Sequence, residues 1–182
     1  YSDDVMTLGK DPFDIAIRGG YAPDERVIAK RLTGHEFKLV ATPEFLASLD
    51  CATPLSLDTL KSCKTLQYRG PKGLIDWYVM TGDRWEKIDI KPSMICNNGT
   101  ILSRAALKHQ GIVFMPQWGM QPYLDSGKVV EVPTEDIISL NRSRDIGIFL
   151  LHLKSRYQIP KIKLCVDFLL SHLGDQESDR YI

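Results

Sequence analysis

Four short segments place polar side chains or free helix amides beside glycine or proline, at points where predicted strands end. They are Arg18-Gly19-Gly20, Tyr68-Arg69-Gly70, Asn97-Asn98-Gly99-Thr100 and Pro116-Gln117-Trp118. A guanidinium group and the amides of a helix amino terminus both bind anions. In open α/β sheets, ligand crevices lie at the carboxyl ends of the strands. The chemistry that these segments indicate is therefore recognition of a small anionic ligand.

Each segment also has a purely structural explanation. Water would solvate the charges of Arg18 and Arg69 at a strand end, and the adjacent glycines would only turn the chain. Asn98 is a good helix cap, and packing within its loop would explain Trp118. Several such groups that converge on one crevice would favour ligand binding over these separate explanations.

The sequence offers little for catalysis. It contains no Gly-x-Ser-x-Gly elbow, no phosphate-binding Gly-x-x-x-x-Gly-Lys loop and no Gly-x-Gly-x-x-Gly fingerprint. The four histidines are scattered, and none belongs to a motif with a nucleophile: His35, His109, His152 and His172. We therefore expect that the protein is not an enzyme and that it needs no cofactor.

The four cysteines are Cys51, Cys63, Cys96 and Cys165. Their wide spacing, without a Cys-x-x-Cys pair or a nearby histidine, argues against a zinc site and against a disulfide framework. Cys165 falls in an apolar helical pattern and Cys96 in a strand-like segment, so both are predicted to be small buried hydrophobic residues. No metal site is expected, and this cysteine usage fits the cytosol best.

Composition excludes several classes of protein. The 182 residues are 43% hydrophobic and 25% charged, which is typical of a globular chain with a sizeable core. Lys+Arg and Asp+Glu both total 23, and this neutral balance argues against direct binding of a nucleic-acid backbone. No apolar segment approaches the length of about 20 residues that a transmembrane helix needs, and no signal peptide opens the sequence. A cytoplasmic protein without membrane contact is predicted.

Strands and helices alternate along the chain. Strand patterns are predicted at residues 13–17, 27–32, 37–41, 65–68, 77–80, 85–90, 94–96, 112–115, 129–132 and 146–153. Helical patterns are predicted at residues 5–8, 44–49, 57–60, 100–110 and 160–173, and Tyr123-Leu124-Asp125-Ser126-Gly127 is predicted to close a further short helix. Residues 69–73 are predicted to be a loop. This alternation predicts an α/β protein with a mainly parallel sheet.

Particular residues are expected to begin and end these elements. Thr42 and Pro43 have the types that start a helix, and Gly111 is predicted to follow the end of the helix that Asn98 begins. Residues 112–115 are apolar at every position, which predicts a strand covered on both faces. The last helix is predicted to bury one face, made of Ile162, Cys165, Val166, Leu169, Leu170 and Leu173.

The order of these motifs resembles the effector-binding domain of LysR-type transcriptional regulators. The resemblance covers nearly the whole chain. It is carried by Phe13-Asp14-Ile15-Ala16-Ile17-Arg18, Leu39-Val40-Ala41-Thr42-Pro43-Glu44-Phe45-Leu46, Leu66-Gln67-Tyr68-Arg69, Asn97-Asn98-Gly99, Gly111-Ile112-Val113-Phe114-Met115-Pro116 and Pro160-Lys161-Ile162.

The resemblance implies a type 2 periplasmic-binding-protein-like fold, with two α/β lobes and a ligand cleft between them. Lobe I would comprise residues 1–41 plus 119–182, and lobe II residues 42–118. In the family, a strand, a helix and a second strand precede the position of Ser2. The first lobe is therefore expected to be incomplete at its amino terminus, with strand edges covered by a partner chain or by local rearrangement.

The family's effector contacts carry over to individual residues of this sequence. In the first lobe they are Tyr1, Ser2, Arg18 and Gly19. In the second lobe they are Tyr68, Arg69, Gly70, Asn98, Thr100, Pro116 and Gln117. Thr42 lies near a crossover and belongs less clearly to this group.

The resemblance implies an allosteric regulator. A small, often anionic effector would bind between the lobes, favour one lobe arrangement and relay it to a separate winged helix-turn-helix domain. DNA would be bound only through that domain, which this chain lacks, and the protein would be a homodimer or tetramer. A solute-binding protein of a transporter and an enzyme on the same scaffold are the alternatives.

Overall fold

The computed structural model describes residues 8, 12–20, 27–70, 73–140 and 146–174. These residues form two compact units. Unit 1 contains the described residues of Phe37–Arg142, and unit 2 contains those of Asp4–Glu36 and Ser143–Ile182. Tyr1, Ser2 and most of the predicted helix at residues 5–8 lie outside the described residues.

The described residues contain twelve strands and five α-helices in a mixed α/β arrangement. The strands are β1 (Ile15–Gly20), β2 (Val27–Gly34), β3 (Phe37–Ala41), β4 (Thr65–Gly70), β5 (Gly73–Leu74), β6 (Tyr78–Thr81), β7 (Arg84–Lys87), β8 (Met94–Cys96), β9 (Ile112–Pro116), β10 (Val130–Glu131), β11 (Ile138–Ser139) and β12 (Gly147–Leu153). The helices are α1 (Pro43–Ala47), α2 (Leu57–Ser62), α3 (Gly99–Leu107), α4 (Gln117–Asp125) and α5 (Pro160–Leu173).

Unit 2 is a three-stranded sheet in the order β1-β12-β2, with α5 against one face. β12 is antiparallel to both neighbours, so β1 and β2 are parallel to each other without being paired. The buried residues between sheet and helix are Leu32, Leu150, Ile162 and Val166. The expectation of a mainly parallel sheet is therefore wrong, because β12 returns from the end of the chain to lie between the two earlier strands.

Unit 1 contains a larger sheet with a hydrophobic core on each face. Its order is β10-β3-β9-β4-β5, and β8 also pairs with β4. Ile112 and Phe114 of β9 lie in one core, while Val113 and Met115 lie in the other. The prediction that residues 112–115 form a strand covered on both faces is confirmed. A second sheet in this unit has the order β11-β6-β7.

The boundaries between the two units lie at residues 36/37 and 142/143, whereas the boundaries between the predicted lobes lie at residues 41/42 and 118/119. The difference has a structural reason. β3 pairs with both β9 and β10, and α4 contributes Met120 to the core shared with α3. These pairings place β3, α4 and β10 together in unit 1.

Several local predictions are confirmed. Thr42 caps α1 with Pro43 at its first position, and Asn98 caps α3. The structure also shows that Ser56 caps α2 and that the hairpin of β6 and β7 turns at Gly82.

Other local predictions are wrong. Gly111 does not end α3: His109 has the left-handed φ of 59°, and the amides of His109 and Gln110 bond back to Ala106 and Ala105. These bonds form a Schellman motif with histidine in the usual glycine position. By contrast, the prediction that Tyr123–Gly127 close a short helix is confirmed, because α4 ends at Asp125 with Ser126 as its C-cap and Gly127 follows with φ of 69°.

Five further residues differ from expectation in where they lie. Arg69 and Gly70 belong to β4, and Gly73 begins β5, so the predicted loop is a hairpin. Cys165 is exposed, because Ile162 and Val166 define the buried face of α5. Leu173 is also exposed. All four cysteines are free, and among the described helices none has the length and hydrophobicity to cross a membrane.

Candidate ligand-binding site

Three parallel strands of unit 1 end at one edge of the sheet. β4 pairs in parallel with β8, with Tyr68 opposite Cys96, and in parallel with β9, with Leu66 opposite Val113. Parallel strands present their carboxyl ends on the same side. The structure therefore brings the predicted contacts of this unit to one edge, and these residues are Tyr68, Arg69, Gly70, Asn98, Thr100, Pro116 and Gln117.

The amino terminus of α3 lies at this edge, directly after β8. The Asn98 side-chain oxygen accepts a hydrogen bond of 3.1 Å from the Ile101 amide, so the structural role of this residue as a cap is real. The N–H groups of the Asn98 side chain remain available to donate hydrogen bonds to a ligand. The amides of Gly99 and Thr100 occupy the first two helical positions, where an α-helix has no internal acceptor for them.

The amino terminus of α4 lies at the same edge, directly after β9. Its N-cap residue is Pro116, which makes no side-chain capping bond. Gln117 donates from its side chain to Gln121 at 3.1 Å, and Gln121 donates to Asp125 at 2.7 Å. These bonds fix the orientation of the Gln117 amide and leave its oxygen as an acceptor. Two helix amino termini thus concentrate partial positive charge at one edge.

Arg69 adds a full positive charge to this edge. Its side chain is exposed at the end of β4, where its backbone pairs with Leu74 of β5. The adjacent Gly70 is buried, and a Cβ there would lie 3.2 Å from the Ile75 side chain. Gly70 therefore has a packing role, because a larger residue there would require the Ile75 side chain to move by a few tenths of an ångström.

Gln67 is a polar residue of β4 whose position the sequence prediction did not use. It is 3% exposed, and its side-chain oxygen has no hydrogen-bond partner in the described structure. Gln67 and Arg69 lie on the same face of β4, since side chains alternate along a strand. A buried acceptor without a partner costs free energy, and a polar residue within the apolar segment Thr65-Leu66-Gln67-Tyr68 was the signal for it.

Unit 2 presents a separate group of residues at the carboxyl end of β1. Arg18 lies opposite Phe149 and Gly19 opposite Ile148 of β12, and both β1 residues are exposed. A Cβ on Gly19 would lie 2.9 Å from His35 Nε2, so glycine here makes room for the imidazole ring. Burial lowers the pKa of His35, which favours the neutral ring.

Thr42 has a structural role in unit 1. Its side chain is buried and accepts from the Phe45 amide at 3.2 Å. The same oxygen lies 2.7 Å from His109 Nδ1, which ties the start of α1 to the end of α3. The predicted contacts Tyr1 and Ser2 lie outside the described residues. No group of three or more metal-ligating side chains occurs in the part of the chain that the structure describes.

Comparison with known proteins identifies related chains. The family model described as the LysR substrate binding domain matches residues 2–174. The HTH-type transcriptional activator TtdR of Escherichia coli (strain UTI89 / UPEC) is 30% identical over 169 residues, which cover 92% of this chain and 52% of the relative. The HTH-type transcriptional regulator CrgA of Neisseria meningitidis serogroup B is 24% identical over 174 residues, which cover 96% and 56%. The chain spans about half the length of the curated relatives it matches.

Solved structures confirm the predicted fold. The regulatory domain of CrgA, a LysR-type transcriptional regulator from Neisseria meningitidis, matches with a TM-score of 0.74 at 25% identity, over 92% of this chain and 78% of that chain. The regulatory domain of AphB from Vibrio vulnificus matches with a TM-score of 0.68 at 19% identity, over 92% and 81%. The second likeness concerns the fold alone. Both support the two-lobed periplasmic-binding-protein-like α/β class.

The resemblance inferred from the order of the motifs is confirmed by the same comparisons. The family model extends over nearly the whole of the 182 residues, and both relatives carry the name of a transcriptional regulator. The chain therefore belongs to the LysR substrate-binding domain family.

Proposed function

We propose that this chain is the effector-sensing domain of a LysR-type transcription regulator and that its effector is a small anionic molecule. The named relatives are an HTH-type transcriptional activator and an HTH-type transcriptional regulator, each about twice as long as this chain. DNA binding is assigned to a part of the protein outside this chain. The zero net charge of the chain agrees with this division.

The observation that carries the anionic effector is the edge formed by β4, β8 and β9 in unit 1. Two helices begin at this edge and Arg69 lies at the end of β4 there, and helix amino termini and guanidinium groups both attract negative charge. Gln67 adds a buried acceptor without a partner, which suits an effector that also carries a hydrogen-bond donor. The proposed effector is therefore a small acid that bears a hydroxyl or amino group.

The effector acts by shifting a conformational equilibrium. A ligand changes the populations of two states only by the difference between its affinities for them. Contacts that the effector makes in one state and loses in the other supply this difference in affinity. The remaining proposed contacts of the effector are Arg18 and Gly19, which belong to unit 2, and Tyr1 and Ser2.

The alternatives have less support. The relatives are regulators, and nothing in their names favours a solute-binding protein of a transporter. An enzyme would need a nucleophile beside a base. The described contacts of this kind have structural roles: Thr42 and His109 cap helices, and Ser171 and His172 both contact the Phe168 carbonyl of α5. The protein is proposed to have no catalytic activity.

The proposal includes location and assembly. A regulator that acts on DNA works in the cytoplasm of a bacterium, and the family resemblance implies a homodimer or tetramer. Light scattering coupled to size-exclusion chromatography measures the assembly directly.

The experiment is a thermal-shift screen of small acids against the protein, followed by calorimetry on each acid that raises the melting temperature. Arg69→Gln is expected to weaken the best acid about tenfold or more, because it removes a charge-assisted hydrogen bond. Arg84→Gln is the matched control, since Arg84 is exposed on the β6–β7 hairpin. Equal affinity of wild type and Arg69→Gln would refute the anion site of unit 1.

A further inference from the structure

Unit 2 contains two arginines on one face of its sheet, separated by a single aromatic residue. In the strand register, Arg18 of β1 lies opposite Phe149 of β12, and Phe149 lies opposite Arg31 of β2. Residues opposite each other across paired strands present their side chains on the same face. The two arginine backbones are two strand spacings apart, which is about 10 Å.

Arg31 does not point away from the sheet. Its Nε lies 3.0 Å from the point that a Cβ on Gly147 would occupy, and its Nη2 lies 4.0 Å from the corresponding point on Gly34. The Phe149 ring lies 3.1 Å from the same point on Gly147. The guanidinium group therefore lies over the end of the sheet, beside Phe149 and in space that any other residue at position 147 would fill.

Three glycines form a row at this end of the sheet. Gly20 lies opposite Gly147, and Gly147 lies opposite Gly34. No atom comes within 4 Å of a Cβ built on Gly20. The backbone at Gly20 is therefore uncovered and a small ligand can approach it closely, whereas at Gly147 the Arg31 and Phe149 side chains occupy that space. Both β1 and β2 have their carboxyl ends here, which is where α/β sheets bind ligands.

The charges of these strands have one sign. β1, β2 and β12 contain Arg18, Lys30 and Arg31 and no aspartate or glutamate. Within the described ranges, no hydrogen bond or ion pair joins Arg18 or Arg31 to another residue. Other basic residues of unit 2 are paired, as in Arg156 and Lys161 with Asp14 and Lys163 with Asp167.

We propose that Arg18 and Arg31 form an anion site over the Gly20–Gly147–Gly34 row, which takes a carboxylate or phosphate group. The two guanidinium groups share the anion, and Phe149 supplies an apolar wall on which the rest of the ligand packs. This inference deepens the proposed function and rests on it, because the anion is taken to be part of the effector.

Inorganic phosphate at constant ionic strength is the probe. In ¹⁵N-labelled protein, the amide signals of Gly20, Gly34 and Gly147 are expected to shift saturably with phosphate. Arg18→Gln and Arg31→Gln are each expected to weaken phosphate binding about tenfold or more. Lys30→Gln is the control: it removes the same charge one residue away, from the opposite face of β2. Arg31→Lys keeps the charge but loses the planar fork, so it provides a second variant if Arg31→Gln fails to fold.

Saturable shifts that need both arginines and not Lys30 support the site. Absence of a saturable shift, full affinity in the arginine variants, or equal weakening by Lys30→Gln would each overturn it. This result is independent of the Arg69 test. An effector that depends on Arg69 while phosphate ignores Arg31 would remove this inference and leave the proposed function intact.

Discussion

Asn98 is the residue at which a structural role and a binding role are most sharply separable. Its side-chain oxygen accepts from the Ile101 amide at 3.1 Å. Loss of an N-cap side chain to alanine costs about 1 kcal/mol. The first turn of α3 leads directly to Leu102, which is fully buried, so fraying would reach the core. We therefore expect Asn98→Ala to lower the free energy of unfolding by about 1 kcal/mol.

Asn98→Asp separates the two roles. Aspartate keeps an oxygen in the capping position and adds a negative charge where the helix dipole favours it, which gains about 0.3–1 kcal/mol. Stability is therefore expected to equal or exceed that of wild type. The same charge would repel an anionic effector at the edge of β4, β8 and β9, so the affinity for the best acid is expected to fall about tenfold or more.

Urea unfolding, monitored by tryptophan fluorescence, measures the change in the free energy of unfolding. Trp77 is 2% exposed and lies edge-to-face against Phe114, with ring centroids 5.0 Å apart, so its emission reports on unit 1. Asn98→Ser is the control that keeps the cap without the added charge. If Asn98→Asp loses as much stability as Asn98→Ala, the capping argument is wrong. If it keeps full affinity for the acid, α3 does not contact the effector.

Two further predictions concern stability. Gly111→Ala is expected to cost about 2–4 kcal/mol in urea unfolding, because its φ is 155° and a Cβ would lie 2.6 Å from the Lys64 carbonyl oxygen. Gly127→Ala, with φ of 69° and no atom within 4 Å, should cost only about 1 kcal/mol, and equal losses would contradict the steric explanation. Burial lowers the pKa of His35, so the unfolded chain binds more protons and wild-type stability should fall as pH drops below about 6.5. His35→Gln should reduce this loss of stability at low pH, as measured by urea titrations at several pH values. If the stability of wild type and of His35→Gln falls in parallel with decreasing pH, the role given to His35 is wrong.

Local signals predicted much of the fold, because they act within a few residues. Thr42 with Pro43, and Asn98 before Gly99, set helix starts through bonds that span three positions. Long-range pairing was not predictable in this way. β12 begins 127 residues after Gly20 and still lies between β1 and β2, so no local pattern indicates that the sheet of unit 2 is antiparallel.

A misleading local signal explains the error at the end of α3. At the end of α3, histidine takes the left-handed position that glycine usually occupies. Gly111, two residues later, is needed for a different reason, namely close approach to the Lys64 carbonyl. A glycine near a helix end indicates that backbone freedom is needed, but not which contact needs it.

The candidate site residues also divide into those that a local pattern indicated and those whose role depends on long-range strand pairing. Contacts at strand ends were predicted from the sequence because a glycine or proline lies beside them: Gly19 follows Arg18, Gly70 follows Arg69, and Pro116 itself ends β9. Gln67 and Arg31 lie within strands, and there the sequence shows only a polar residue in an apolar pattern. Whether such a residue faces solvent, core or ligand depends on the strands beside it: Gln67 is buried without a partner for its oxygen, while Arg31 reaches over Gly147. Their roles follow from register, and register is fixed by contacts between segments far apart in the chain.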